Sequence, residues 1–162
     1  MSILIDKAKK FIHKHQLILP GDKILAACSG GCDSFALTHI LATIQEEFKF
    51  ELFVANVNHM LREESYKEAL IVEKFCAKLN LPYYHQAIDI KVFMKSSNKS
   101  LQEAARYKRY EYLNKLAINL SINKIATGHH LDDQIETVIL NILRGTGSNG
   151  LNGIKPISHN LI

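Results

Sequence analysis

The sequence predicts an α/β fold, a parallel sheet with helices on both faces in a three-layer α/β/α arrangement. Short apolar runs alternate four times with longer amphipathic runs, as in strand–helix crossover units. The length of 162 residues, with 47% hydrophobic and 22% charged residues, suits one such domain. The first strand and helix of the alternation are joined by a glycine loop, residues 29–34, which reads Ser29-Gly30-Gly31-Cys32-Asp33-Ser34.

Each element follows from a local pattern. Apolar runs predict strands at 23–28, 52–58, 83–88 and 124–127, and helical periodicity predicts helices at 34–47, 63–79, 101–119 and 131–144. Segment 1–14 mixes apolar residues with lysines and lacks the continuous apolar core and small-residue cleavage site of a secretory signal. It is therefore predicted to be a leading amphipathic helix and not a signal peptide. Polar residues 94–100 predict a loop, and Ser100 with Glu103 fits a capping box.

The glycine loop predicts a site for nucleotide phosphates. A strand, glycine turn and helix direct backbone N–H groups, serine hydroxyls and a helix N-terminus to one point. Asp33 would repel phosphate unless a cation lay between them, so we expect a nucleotide with Mg²⁺. The sequence has no Walker A pattern, and its one Gly-x-Gly-x-x-Gly string, at 145–150, follows a helix and is not a dinucleotide fingerprint.

Polar residues also follow two other predicted strands, at the edge where ligands of parallel sheets bind. Asn58 and His59 follow the second strand, and residues 128–133 follow the fourth. Asp132 and Glu136 are four residues apart and share a helix face, which with Asp33 predicts a Mg²⁺ site. The alternative is that Asp132 and Asp133 only interact favourably with the helix dipole.

Basic residues offer contacts to phosphate. Gln102, Arg106 and Arg109 form a stripe on helix 101–119, where the arginines could neutralise phosphates of ATP or RNA or simply face solvent. Of His129 and His130, one is expected to contact phosphate or a base and the other to pack. The net charge of +4 permits a nucleic-acid partner without requiring one.

The cysteines predict a reducing compartment. Cys28, Cys32 and Cys76 are odd in number and unpatterned, which favours free thiols in the cytoplasm over a disulfide framework or a zinc site. No apolar run approaches the roughly 18 residues of a membrane helix, so no membrane association is expected.

These motifs resemble the PP-loop ATP pyrophosphatases, whose SGGxDS loop is matched in full by residues 29–34. Stretches 57–62, 102–110, 127–137 and 143–153 resemble tRNA(Ile)-lysidine synthetases, and the similarity covers most of residues 20–156. The resemblance implies a Rossmann-like, adenine nucleotide alpha hydrolase-like fold. Residues 1–162 would then be a single catalytic domain that lacks the family's C-terminal tRNA-binding domains.

The resemblance also implies a reaction. ATP adenylates the C2 oxygen of the wobble cytidine, position 34, of tRNA(Ile) with a CAU anticodon, and pyrophosphate leaves. The ε-amine of L-lysine then attacks C2 and expels AMP, leaving lysidine. Mg²⁺ would accompany ATP, and a homodimer is compatible with the family.

Residue roles follow from the same resemblance. The ATP-binding set would be Ser29, Gly30, Gly31, Cys32, Asp33, Ser34, Asn58, Gly128 and His129. Asp33, Asp132 and Glu136 would hold metal, although the last two could instead position and deprotonate lysine. His59, Arg62 and Arg106 would stabilise developing charge. The tRNA contacts would come from Arg62, Gln102, Arg106, Arg109, His130, Arg144 and Gly145.

Two other functions remain open at this point. One is a PP-loop tRNA 2-thiolase, which would need a catalytic cysteine pair. The other is a non-catalytic nucleotide-binding module, against which the intact acids Asp33, Asp132 and Glu136 argue. Without the C-terminal domains, we expect residues 1–162 to bind ATP but to hold and modify tRNA poorly.

Overall fold

The computed structural model describes residues 2–60, 65–94, 100–128 and 160–162. Its elements, in chain order, are α1 Ser2–His15, β1 Lys23–Ala27, α2 Cys32–Phe48, β2 Glu51–Asn58, α3 Ser65–Lys78, β3 Tyr83–Ala87, α4 Ile90–Met94, α5 Leu101–Asn119 and β4 Lys124–Thr127. The four predicted strands, the leading helix and the next three predicted helices are confirmed to within one or two residues at each end. The predicted helix 131–144 lies outside the described residues.

The four strands form one parallel sheet in the order β3-β2-β1-β4. The strand β1 is central, pairing with β2 from Lys23 to Ala27 and with β4 from Ile24 to Ala27. Residues 160–162 lie beside β4, where Leu161 forms a parallel bridge with Ile125. All four carboxyl ends therefore meet at one edge of the sheet, where ligands of parallel sheets bind.

Two apolar cores cover opposite faces of the sheet, because successive strand residues point to opposite sides. Ile24 and Ala26 face a core that takes residues from α1, α2 and α3, whereas Leu25 faces a smaller core with Leu113 and Ala117 of α5. Each of these side chains is at most 2% exposed. The structure confirms the three-layer α/β/α arrangement. No helix among the described residues is both long and apolar enough to cross a membrane.

The capping box at the start of α5 is confirmed. The backbone N–H of Glu103 donates to Ser100 Oγ at 3.3 Å, and the N–H of Ser100 donates to Glu103 Oε2 at 3.0 Å. The short helix α4 was not predicted, since five residues are too few to show helical periodicity. It is stabilised by the buried Ile90 and by Asp89 Oδ1, which accepts the Val92 N–H at 3.2 Å.

A buried ion pair joins β1 to β4 at the amino ends of the strands. Asp22 Oδ2 lies 2.7 Å from Lys124 Nζ and accepts the Leu19 N–H at 2.6 Å, while Asn123 Nδ2 donates to Asp22 Oδ1 at 2.6 Å. Lys124 Nζ also donates to the Leu17 carbonyl at 2.7 Å. Burial alone would raise the pKa of Asp22, but these hydrogen bonds outweigh it and hold the pKa below its ordinary value of 3.8.

We predict that Asp22→Asn lowers the free energy of unfolding by about 2 kcal/mol at pH 7, because charge-assisted hydrogen bonds are lost. Because the pKa of Asp22 is lower in the folded state than in the unfolded state, its ionised form stabilises the protein at pH values above the unfolded-state pKa. This contribution disappears as pH falls through the folded-state pKa. The difference between wild type and variant should therefore shrink below pH 3.8. Urea titrations across pH 2–7 test this, with Asp6→Asn on the exposed side of α1 as the control. A difference in unfolding free energy between wild type and Asp22→Asn that is as large at pH 2 as at pH 7 would contradict the prediction.

Candidate nucleotide site

The glycine loop leaves the carboxyl end of β1 between the ends of β2 and β4. The Cys28 N–H donates to the Ala55 carbonyl of β2 at 2.9 Å, which extends the pairing one residue beyond β1. The buried Asn56 side chain then donates from Nδ2 to the Cys28 carbonyl at 2.8 Å. Both backbone polar groups of Cys28 are thus held by β2, and this anchors the chain at the point where it turns.

Inside the loop, Ser34 holds the turn closed. Its hydroxyl donates to the Gly31 carbonyl at 2.8 Å, and Ser29 Oγ donates to Ser34 Oγ at 3.4 Å. Gly30 has φ +93°, a left-handed conformation that favours glycine. Gly31 is the N-cap of α2 and has no side chain to cap the helix, so the first-turn N–H groups remain available to an anion.

Gly128, directly after β4, closes the other side of the loop. A Cβ atom built there would lie 3.4 Å from the carbonyl carbon and oxygen of Asp33 and from the Ser34 nitrogen. These distances are at the short limit of van der Waals contact, so glycine lets the end of β4 pack closely against the first turn of α2. The adjacent Thr127 N–H donates to the Ile162 carbonyl at 3.0 Å.

A pocket of about 330 Å³ opens above the loop. It brings together seven of the predicted site residues, from three separate parts of the chain: Ser29, Gly31, Asp33, Ser34, Arg106, Arg109 and Gly128. Its other described lining residues are Ala27, Cys28, Ala55, Val57, Leu113 and Thr127. The loop and the arginines of α5 therefore line one cavity.

Five predicted residues do not line this pocket. Gly30 and Cys32 lie within the loop, where Cys32 Sγ is 3.5 Å from Asp33 Oδ1. Asn58 Oδ1 accepts the Met60 N–H at 2.8 Å, so this side chain shapes the turn after β2. Gln102 is exposed on the first turn of α5, and His59 is half-buried and close enough to Arg109 to feel its charge.

Arg106 and Arg109 differ in environment although both line the pocket. Arg106 is exposed, whereas Arg109 is half-buried. Tyr110 lies between them, with its ring centroid 5.0 Å from the Arg106 guanidinium carbon and 5.5 Å from that of Arg109. Within the described part of the chain, the buried Nε of Arg109 has no hydrogen-bond partner. An anion in the pocket would offset part of this desolvation.

His59 is a neutral imidazole in this environment. Burial lowers its pKa from 6.5, and the positive charge of Arg109 lowers it further. Its Nδ1 is buried and unpartnered among the described residues. His59 can therefore orient its neighbours or donate one hydrogen bond near pH 7, but it does not add a second positive charge beside Arg109.

Seven predicted site residues lie outside the described residues: Arg62, His129, His130, Asp132, Glu136, Arg144 and Gly145. Among the described residues, no three His, Cys, Asp or Glu side chains cluster closely enough to hold a metal ion. The predicted metal set, Asp33 with Asp132 and Glu136, stays a prediction. All three cysteines are free, and two of them, Cys28 and Cys76, are buried.

Sequence reasoning missed the residues that support the loop and the apolar wall. Asn56 was the most visible of these, since it is an amide with apolar residues on both sides in β2. Burial of such a group is costly unless it is hydrogen-bonded, so its position already indicated a structural partner. Val57 and Leu113 gave no such signal, because apolar residues at those positions fit any strand or helix.

Comparison with known proteins agrees with this geometry. The family model of a PP-loop domain matches residues 2–161. The chain is 41% identical over 162 residues to a tRNA(Ile)-lysidine synthase of Thermosipho africanus, and covers 38% of that protein. It is 43% identical over 150 residues to a bifunctional protein TilS/HprT of Listeria monocytogenes, covering 93% of this chain and 23% of that protein. The chain thus spans well under half the length of these relatives.

Two solved structures share the fold. A U34-tRNA thiolase of Methanococcus maripaludis, solved with its [4Fe-4S] cluster, superposes with a TM-score of 0.76 at 20% identity, over 91% of this chain and 53% of that one. An NH3-dependent NAD synthetase of Campylobacter jejuni gives a TM-score of 0.58 at 18% identity, over 93% of this chain and 76% of that one. With a family match over nearly its whole length and a glycine loop held at the end of β1, the chain belongs to the PP-loop domain family.

Proposed function

We propose that this chain is the ATP-using domain of a tRNA(Ile)-lysidine synthase, a ligase that joins lysine to the wobble cytidine of tRNA(Ile) with a CAU anticodon. The observation that carries the proposal is the pocket that the glycine loop lines together with Arg106 and Arg109. Relatives that are 40–41% identical over 99–100% of this chain carry that enzyme's name, which supports the substrate assignment.

The residues of the pocket fit ATP. The N–H groups of the loop and of the first turn of α2 suit phosphate oxygens, and the arginines suit the charge of the triphosphate. Ala55, Val57 and Leu113 give the same pocket an apolar side, which suits a nucleobase. The loop is already closed by its own hydrogen bonds, so little ordering is required when phosphate binds.

The chemistry is an adenylation followed by a substitution. The C2 oxygen of the cytidine bonds to the α-phosphorus of ATP, and the bond from that phosphorus to the bridging oxygen of the β-phosphate breaks. The amine of lysine, after losing a proton, then bonds to C2 as the C2–oxygen bond breaks and AMP leaves. Arg106 and Arg109 would stabilise negative charge in both steps, because each step places it on phosphate.

Asp33 is the described acid best placed for a metal. It is exposed in the first turn of α2 and lines the pocket beside the loop. Mg²⁺ bound there would offset the charge of the leaving pyrophosphate. We further propose that Asp132 and Glu136 complete the metal site or orient the lysine amine. A cytoplasmic location and a homodimer stay predictions from the sequence.

The cysteines favour this proposal over a thiolase. Thiolase chemistry needs accessible thiolates, but Cys28 and Cys76 are each at most 1% exposed. Burial, with a smaller effect of Cys28, raises the pKa of Cys76 to about 12, so this thiol stays protonated at neutral pH. Cys32 is left as the one exposed cysteine of the three.

We predict that Gly30→Ala weakens ATP binding at least tenfold, because alanine resists the left-handed backbone that the loop requires. Gly21 provides a matched control, since it has a similar φ of +87° and lies in the turn before β1. Both variants should lose about 1 kcal/mol of unfolding free energy, yet only Gly30→Ala should lose ATP affinity. Calorimetric titration with Mg·ATP measures this, and equal affinities in the two variants would contradict the proposed phosphate site.

We also predict that the full-length protein releases AMP from ATP and tRNA(Ile) only when lysine is present, with labelled lysine entering the tRNA. Asp33→Asn should reduce this rate at least a hundredfold while leaving the fold intact, and chelation of divalent metal should have a similar effect, since both expose the pyrophosphate charge. Asp6→Asn, at an exposed position of α1 outside the pocket, is the control. Lysine-independent turnover, or sulfur entering the tRNA, would refute the proposed function.

A further inference from the structure

A second cavity lies next to the nucleotide pocket, on the outer side of α5. It is a shallow groove of about 470 Å³, lined by Glu103, Arg106, Tyr107, Tyr110, Glu111 and Asn114. Arg106 lines both the groove and the nucleotide pocket. A ligand that enters the pocket and extends past Arg106 would therefore continue into this groove.

The groove presents an aromatic surface in a fixed orientation. The Tyr107 ring is parallel to the Phe93 ring of α4, with 5.9 Å between centroids and 3° between planes. Lys108 Nζ lies 4.4 Å from the Phe93 centroid on the same cluster. Tyr107 remains 50% exposed despite these contacts. A large exposed ring held by packing loses little entropy when another flat ring stacks on it.

The two acidic residues of the groove are paired with neighbouring groups, so they oppose an approaching phosphate less than free carboxylates would. Glu103 belongs to the capping box of α5, and Glu111 Oε2 accepts from Lys108 Nζ at 2.7 Å. Lys115 Nζ lies 3.5 Å from the other oxygen of Glu111. The hydrogen bond from Lys108 has the largest effect on Glu111 and lowers its pKa. The charges of Lys108 and Lys115 lower this pKa further and offset the negative charge of Glu111. The Arg106 guanidinium is exposed at the rim.

We propose that this groove binds the unpaired nucleotide next to the reacting cytidine, with its base stacked on Tyr107 and its phosphate beside Arg106. The inference rests on the proposed function and deepens it. A base that enters a pocket must leave its stack, so its neighbour also loses a stacking partner and is bound more tightly where the protein supplies one. An exposed tyrosine with an arginine beside it is the usual protein surface for that purpose.

The test uses the full-length protein and an RNA hairpin with the anticodon stem and loop of tRNA(Ile), carrying 2-aminopurine beside the reacting cytidine. Wild type should quench the 2-aminopurine fluorescence, because stacking quenches it. Tyr107→Ala and Tyr107→Leu should weaken hairpin binding about tenfold and abolish the quenching, whereas Tyr107→Phe should retain both. The leucine variant preserves apolar packing on Phe93, so a loss in it reports stacking and not unfolding.

Phe11→Ala is the matched control. Phe11 is 48% exposed, a fraction similar to that of Tyr107. It lies on α1, however, which packs against the opposite face of the sheet. Its substitution should leave hairpin affinity and quenching unchanged, and none of the variants should change ATP affinity more than twofold. A fully paired RNA duplex of equal length should compete poorly, since it has no unstacked base.

The outcomes separate this inference from the proposed function. Unchanged hairpin affinity in Tyr107→Leu, or no quenching by wild type, would overturn the groove assignment, even if lysine-dependent AMP release is intact. Quenching that depends on Tyr107, without lysine-dependent AMP release by wild type, would support the groove as an RNA site and refute the lysine-ligating function. Loss of self-association in Tyr107→Leu with unchanged RNA binding would instead identify the groove as a protein contact and overturn the inference.

Discussion

The central position of β1 is the constraint on which the candidate site depends. Strands pair with it on both sides, and apolar cores cover both of its faces, so its carboxyl end has one fixed position. The hydrogen bonds between β2 and Cys28 hold the backbone in place for one residue beyond the end of β1. The loop then turns, and Gly128 packs closely against the backbone of Asp33 and Ser34. A phosphate site built from backbone N–H groups needs this rigidity, because such groups cannot be repositioned by side-chain rotation.

The pocket is completed by α5, which belongs to the opposite layer of the fold. Leu113 and Ala117 fix this helix on the face of the sheet, and its N-terminal half places Arg106 and Arg109 in the same pocket as the loop. Burial of Arg109 beside a neutral His59 costs free energy in the absence of an anion. This arrangement favours binding of a negatively charged ligand, since part of the desolvation cost has already been incurred in the folded protein.

Much of the fold was predictable because its signals are local. Apolar strands, amphipathic helices and the Ser100 capping box each depend on residues close in sequence, and each is confirmed. Parallel strands also predicted that the loop and Gly128 meet at one edge of the sheet, whereas the sequence left open whether Arg106 and Arg109 join them or face solvent. That Cys28 is the partner of Asn56, and that His59 is neutral, could not be predicted, because each depends on a contact between distant segments. Phe93 and Tyr107 gave no pattern either, since their stacking depends on how α4 packs against α5.

Stability and ligand binding are located at opposite edges of the same sheet. The Asp22–Lys124 pair ties β1 to β4 where those strands begin, with three further hydrogen bonds satisfying its buried atoms. At the other edge, the loop contains glycines and the N-terminus of α2 has no side-chain cap. Both features lower local stability, but they leave backbone N–H groups accessible to phosphate. The ion pair at the amino ends therefore contributes stability without occupying the site. A substitution at the amino edge should therefore alter unfolding more than ATP binding, and one in the loop should do the reverse.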